Sequence, residues 1–410
     1  MKLLSVAEAR ERILSHFQPV AAETLPLVEC AQRVLARDIS ASTDLPLFDN
    51  SSMDGFALRA ADVAGASPDS ARTLRVVADI PAGTQPTIFL AGGEAARIMT
   101  GAPLPAGADA VIPVEETDFQ NRAAGLPAPE LVKVLKAVQT GENVRPRGMD
   151  VHTGESILQA GHLLKPQDLG LLAMLGEARV QVHNRPRVAL LSSGDELLAV
   201  DAPLESGKIR DSNSYTLAAL VESAAAEVIR LGVAADRREA VEALVEQAAA
   251  LRVDMILSSA GVSVGAFDFV KEVVESKGRL DFWRVNMRPG KPLAFGEYRG
   301  IPFIGLPGNP VSAFVGFEVF VRPALGRLGG LKTADRLTVR VRLGEAVESD
   351  GRESYLRAEV REEGGVLIAH LSGHQGSGNL LSLVRANALL IIPAGVKSAP
   401  AYQEVDAWML

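Results

Sequence analysis

Between residues 187 and 328 short apolar runs alternate with stretches of helical period. Residues 188–191, 228–233 and 254–257 are compact runs rich in Val, Ile and Leu, whereas 214–226, 237–251 and 269–276 repeat apolar positions at helical spacing. A further run over 301–306 enters Pro307-Gly308-Asn309-Pro310 and then an apolar stretch, 313–321, which predicts a strand, a stiff turn and a helix. Strands alternating with helices of this length imply a parallel sheet whose ligands collect at the carboxyl ends of its strands. The Gly/Ser/Asp-rich stretches 192–196 and 258–265 fall at those ends. Beyond residue 333 the pattern shortens: 337–343, 354–360, 366–369, 388–392 and 405–410 predict a small all-β domain, a barrel or a sandwich. The first half is less periodic. Residues 74–78, 110–113 and 131–134 are β-like amid many glycines and prolines, and 154–164 with a helix over 166–175 form a separate compact piece. At the N-terminus Ser5-Val6-Ala7-Glu8 has the capping-box pattern that opens an amphipathic helix.

A length of 410 residues implies roughly two to four domains, and 47% apolar residues suffice for large cores. With 42 basic and 50 acidic residues the net charge is −8, which argues against a nucleic-acid partner. Any anionic ligand must therefore be held by a local cationic cluster. Cys30 is the single cysteine, so intramolecular disulfides and a zinc-cysteine site are excluded and a reducing cytoplasm is expected. Its place in a helix or helix-strand junction over 28–34 reads as that of a small packed residue. No apolar run approaches the length of a bilayer span, so a soluble protein without a membrane partner is expected.

The most specific chemistry lies near residue 300. Asn309 stands at an N-cap position and Pro310 at the first helical position, so the helix start offers backbone N–H groups and the positive end of its dipole to an anion. Arg288 and Lys291, in Arg288-Pro289-Gly290-Lys291-Pro292, bring positive charge to the same region. Acidic residues fall in turns: Asp49 and Asp54, Asp150, Asp195 and Glu196, Asp236, and Asp268. Strand-end carboxylates beside an oxyanion suit a bridging Mg²⁺, while Asp and Gly are also simply common in turns. Thr100 can bind phosphate or cap its turn. Arg145 and Arg147 flank Pro146, an arrangement that suits anion capture or forms a solvated charge pair. Arg357 and Ser377 reach an oxyanion only if the β domain folds over the site. His370 and His374 read as structural or surface residues. Neither a phosphate-loop motif nor a Gly-x-Ser-x-Gly elbow is present.

An ordered set of motifs carries a family resemblance. Phe48-Asp49-Asn50-Ser51-Ser52-Met53-Asp54-Gly55-Phe56-Ala57 resembles the signature of the molybdopterin molybdenumtransferases, the family of MoeA and of the E domain of gephyrin and its plant relatives. So do Arg97-Ile98-Met99-Thr100-Gly101-Ala102-Pro103, Ser193-Gly194-Asp195-Glu196-Leu197, Gly261-Val262-Ser263-Val264-Gly265, Pro289-Gly290-Lys291-Pro292 and Gly305-Leu306-Pro307-Gly308-Asn309-Pro310. They occur in family order and cover nearly the whole chain.

The resemblance implies an α/β-plus-β multidomain protein. Its parts are a discontinuous parallel-sheet molybdopterin-binding domain (1–20 and 178–328), a small linker-like domain (21–45 and 145–177), a mixed α/β lobe (46–144) and a C-terminal small β-barrel (329–410). It further implies a homodimer with the active site shared between subunits, so that Asp54 and Thr100 serve the partner's α/β domain. Adenylyltransferase and molybdoenzyme partners are implied as well. The reaction takes adenylylated molybdopterin and molybdate with Mg²⁺ and releases AMP. By position, the catalytic set is Asp54, Thr100, Asp150, Glu196, Asp236, Asp268 and Lys291, with Glu196, Asp236 and Asp268 as Mg²⁺ ligands. Arg145, Ser193, Gly194, Ser263, Gly265, Pro307, Gly308, Asn309 and Pro310 bind the pterin substrate. Arg288, Lys291, Ser312, Arg357 and Ser377 form the molybdate pocket. Two positions depart from the family pattern. Arg288 replaces lysine, which bears on pocket size and on molybdate against tungstate, and Ala260 replaces glycine. The rival readings are a molybdopterin adenylyltransferase-like enzyme, whose Gly-Gly-Thr-Gly loop this chain lacks, and a non-catalytic dimeric scaffold, for which the carboxylates and Lys291 would be dispensable.

Overall fold

The computed structural model describes residues 3–119, 126–259 and 269–410. The chain divides into two compact units, one of Met1–Arg37, Gln159–Ala173 and Glu177–Leu410, the other of Asp38–Leu158 and Met174–Gly176. Among the described residues no helix is long and apolar enough to cross a membrane.

The larger unit is built on a six-stranded sheet in the order Glu227–Ala234, Arg187–Ser193, Met255–Ser259, Ile301–Leu306, Pro292–Tyr298, Gly278–Arg284. The first four strands are parallel, as the alternation of apolar runs predicts. Such strands are apolar on both faces because helices cover both. Val188 and Leu190 pack with Leu217 and Val221 on one side, while Ala189 and Leu191 meet Val241 and Val245 on the other. The last two strands are antiparallel, an extension of the sheet that the apolar pattern does not reveal. Register aligns the strand ends, Ser193 opposite Ala234 and Ser259 opposite Leu306, so the loops that follow open at one edge. The N-terminal helix Val6–Ser15 starts with the expected capping box, and Val6, Ala9 and Ile13 join the same core.

Behind the sheet one helical run changes character twice, from α over Pro310–Gly316 to π over Phe317–Val321 and back to α over Arg322–Leu328. The π turn buries Glu318, whose carboxylate accepts from Arg322 at 2.7 and 3.0 Å and from Arg336 at 2.8 and 2.9 Å. All five predicted C-terminal runs are strands, and they close into a five-stranded barrel: Glu353–Glu363, Val366–Leu371, Thr338–Leu343, Glu404–Met409, Ala388–Ile392 and back to the first. Closure leaves no free edge. The short strand Met287–Arg288 pairs with Glu353 and Ser354 and so ties the barrel to the Arg288 loop.

The smaller unit carries a five-stranded sheet, Ala110–Pro113, Gly55–Leu58, Glu94–Ile98, Arg72–Ile80, Leu131–Val134. Gly55–Leu58 and Glu94–Ile98 lie in the middle of it, yet their glycine and alanines carry little β propensity; burial against neighbours makes them strands. Gly55 is obligatory there, since a Cβ would sit 1.9 Å from the Ile112 carbonyl oxygen. Gly55→Ala is expected to destabilise this unit by about 1–3 kcal/mol or more, measured as a lower urea midpoint. Cys30 follows a 3₁₀ turn, Leu27–Glu29, in place of the expected helix, and is fully buried.

Candidate active site

An open cleft of about 990 Å³ lies at the carboxyl edge of the larger sheet. Three loops from strand ends form its floor. Ser193 and Gly194 close the first strand, and the Glu196 carboxylate folds back so tightly that a Cβ on Gly194 would lie 2.6 Å from it. Asp236 follows the edge strand and is pinned by Asp195: the Asp236 N–H donates to the Asp195 carboxylate at 3.1 Å, and the reverse bond is 3.4 Å. The turn Pro307-Gly308-Asn309-Pro310 forms the third part. The Asn213 side-chain amide ties it down by donating to the Gly308 carbonyl at 2.7 Å and to the Ser259 hydroxyl at 2.9 Å.

Asn309 is the N-cap and Pro310 opens the helix, but the Asn309 side chain makes no capping bond. The Val311 N–H is not left open to a ligand. It donates to the carbonyl of Ser377, a barrel-loop residue, at 3.0 Å. The helix start is therefore partly satisfied from within. Among the described residues the Ser312 hydroxyl has no hydrogen-bond partner, and Ser312 lines the cleft.

Cations line another part of the cleft wall. Arg288 and Lys291 sit on a loop closed by the Val285 N–H to Lys291 carbonyl bond of 3.0 Å. Gly290 permits its turn with φ +99°. Neither the Arg288 nor the Lys291 side chain has an ion-pair or hydrogen-bond partner among the described residues, in a wall that also holds Arg352. Arg357 lies behind the wall, not on it, and is 1% exposed. Its guanidinium donates to Ser382 Oγ at 3.0 Å and to the carbonyls of Gln375, His374 and Gly376 at 3.3, 3.3 and 2.9 Å. Burial first, and then the charge of Arg288, bring its pKa down to about 10. Arg357 thus shapes the loop that presents Gln375, Gly376 and Ser377 to the cleft.

In the smaller unit three signature loops converge. Asn50 pairs with Arg145 and bridges to Pro103, and the Gly101 N–H donates to the Ser51 carbonyl at 2.8 Å. The Thr100 N–H and hydroxyl both donate to the Asp54 carboxylate at 2.7 Å. Arg145 pairs with Asp150 and Arg147 with Asp44, so both cations beside Pro146 already have carboxylate partners.

Three family models match consecutive parts of the chain: the MoeA N-terminal region (domain I and II) over residues 4–176, a probable molybdopterin binding domain over 189–327, and the MoeA C-terminal region (domain IV) over 340–410. The molybdopterin molybdenumtransferase of Nostoc sp. is 40% identical over 370 residues, 88% of this chain and 83% of that protein. Molybdopterin molybdenumtransferase 2 of Mycobacterium tuberculosis is 38% identical over 99% of both chains. The chain belongs to the MoeA family of molybdopterin molybdenumtransferases. The crystal structure of the molybdopterin biosynthesis MoeA protein of Pyrococcus horikoshii OT3 superposes with a TM-score of 0.83 at 31% identity, covering 100% of both chains.

Within this MoeA-family chain, Ser193, Gly194, Glu196, Asp236, Arg288, Lys291, Pro307, Gly308, Asn309, Pro310, Ser312 and Ser377 all border one cleft. Ser263, Gly265 and Asp268, like Ala260, lie outside the described residues. Reading the sequence missed Arg210, Asp211, Asn213, Arg352 and Gln375. The Asp211-Ser212-Asn213 turn before a helix was the one available signal for Asn213. Among the described residues no three His, Cys, Asp or Glu side chains group as a metal cage.

Proposed function

We propose that this chain inserts molybdenum into adenylylated molybdopterin, consuming molybdate and releasing AMP with the help of Mg²⁺. The observation that carries this reading is a single cleft lined both by Arg288 and Lys291, which have no ion-pair partner among the described residues, and by the strand-end carboxylates Glu196 and Asp236. Arg288, Lys291 and the Ser312 hydroxyl would gather the molybdate oxyanion. The turn Pro307–Pro310 and Ser193-Gly194 would hold the pterin substrate close to it, and such positioning accounts for much of the rate in a reaction that needs no protein nucleophile. Two carboxylates fit Mg²⁺ better than a full cage does, because this ion is usually held by one or two carboxylates plus substrate phosphates and water. Glu196 and Asp236 would hold it, and bound there it would neutralise charge on the phosphoanhydride. Asp54 with Thr100 and Arg145 with Asp150 would complete the partner subunit's cleft in a homodimer. The four-domain division and the cytoplasmic setting belong to the same reading.

The test incubates the purified protein with adenylylated molybdopterin, Mg²⁺ and molybdate and follows AMP. AMP release that depends on molybdate is expected; its absence rules the function out.

A further inference from the structure

Arg352 borders the cleft from the barrel, in the loop just before the strand Glu353–Glu363. Its side chain is held from behind at three points. Nε donates to Asp350 Oδ2 at 2.9 Å, Nη2 donates to the same carboxylate, and Nη1 donates to the Met287 carbonyl at 2.9 Å. Met287 immediately precedes Arg288, so the fork is anchored to the loop that carries the free cations. A guanidinium has five N–H groups in a rigid plane. These contacts leave one N–H on each terminal nitrogen, and the side chain borders the cleft with 29% of its surface open. Asp350 is held below the ordinary carboxylate range, first by the hydrogen bond from Arg352 and with a contribution from the charge of Arg288.

We infer that Arg352 is a binding residue for the tetrahedral oxyanion, offering two pre-oriented N–H donors beside Arg288 and Lys291, and that Asp350 is the positioning residue that aims it. The inference rests on the proposed function for the identity of the oxyanion as molybdate. One free N–H on each terminal nitrogen of a rigid planar fork can meet two oxygens of a tetrahedral dianion, a match that a lysine ammonium does not reproduce. The anchoring also lowers the cost of binding, because the fork is already ordered before the anion arrives.

The experiment is equilibrium dialysis of the full-length protein with molybdate alone, beside steady-state AMP release at varied molybdate and varied adenylylated pterin. Arg352→Lys keeps the charge and is expected to weaken molybdate retention and raise its KM about tenfold, with the pterin KM and the melting temperature nearly unchanged. Asp350→Asn is expected to act in the same direction by about threefold, with recovery in Asp350→Glu. Native molybdate retention in Arg352→Lys overturns the inference. So does an equal rise in both KM values with a lower melting temperature, since that marks a purely structural clamp. Unmodified protein that retains molybdate through Arg352 but releases no AMP overturns the proposed function and leaves the oxyanion site standing.

Discussion

Lys291→Ala is expected to lower molybdate-dependent AMP release by about 10²–10³-fold in the assay above, with the protein melting at the native temperature. The side chain is exposed and has no partner among the described residues, so its removal leaves no buried group unsatisfied there and little packing is lost. What disappears is a cation in a wall where Arg288 is only half buried and the fully buried Arg357 faces away, toward the carbonyls of residues 374–376. An activity within threefold of native would remove Lys291 from the site. Arg288→Lys is the companion measurement. Unchanged relative rates with molybdate and tungstate in that variant would show that the arginine does not tune oxyanion choice.

The largest effect on stability is expected at Glu318. Its side chain is wholly buried and bound by two guanidinium groups, Arg322 and Arg336. Glu318→Gln leaves those cations beside an uncharged amide and is expected to destabilise the protein by about 3–5 kcal/mol, read as a lower denaturant midpoint. Burial alone would raise the Glu318 pKa, but the hydrogen bonds from Arg336 and Arg322 outweigh it and lower the pKa below the ordinary glutamate value. A depressed folded-state pKa contributes stability that is complete above the unfolded-state pKa and is lost as pH falls through the folded value. The native protein should therefore lose stability on the acid side, and Glu318→Gln should lose less of it there. Parallel pH–stability curves for the two proteins would contradict this account.

The helical run that contains Glu318 shows how local and distant information divide. Its N-terminal signal, Asn309 then Pro310, is legible in four residues and is met. The buried carboxylate is not, because one of its two guanidinium partners is Arg336, 18 residues away in the chain. The capping box at Ser5 and Glu8, the four parallel strands and the five barrel strands were legible for the same local reason: backbone period and turn chemistry are set within about ten residues. The strands Gly55–Leu58 and Glu94–Ile98 were not, since only their sheet neighbours make them strands.

The sequence by itself determined the four parallel strands with their helices and the five barrel strands, and with them the end of the sheet where ligands collect. It also placed Arg288, Lys291, Glu196, Asp236 and the Pro307–Pro310 turn among the candidates for one site. Only the tertiary structure decided which charges remain available. Arg145 and Arg147 have carboxylate partners, Arg357 is committed to carbonyls, and the Val311 N–H is taken by Ser377, whereas among the described residues Arg288 and Lys291 have no partner and Arg352 is anchored at Asp350 and Met287. The physical reason is separation along the chain. How a charged side chain is held depends on contacts such as that between Met287 and Arg352, 65 residues apart, and no short pattern in the sequence records that meeting.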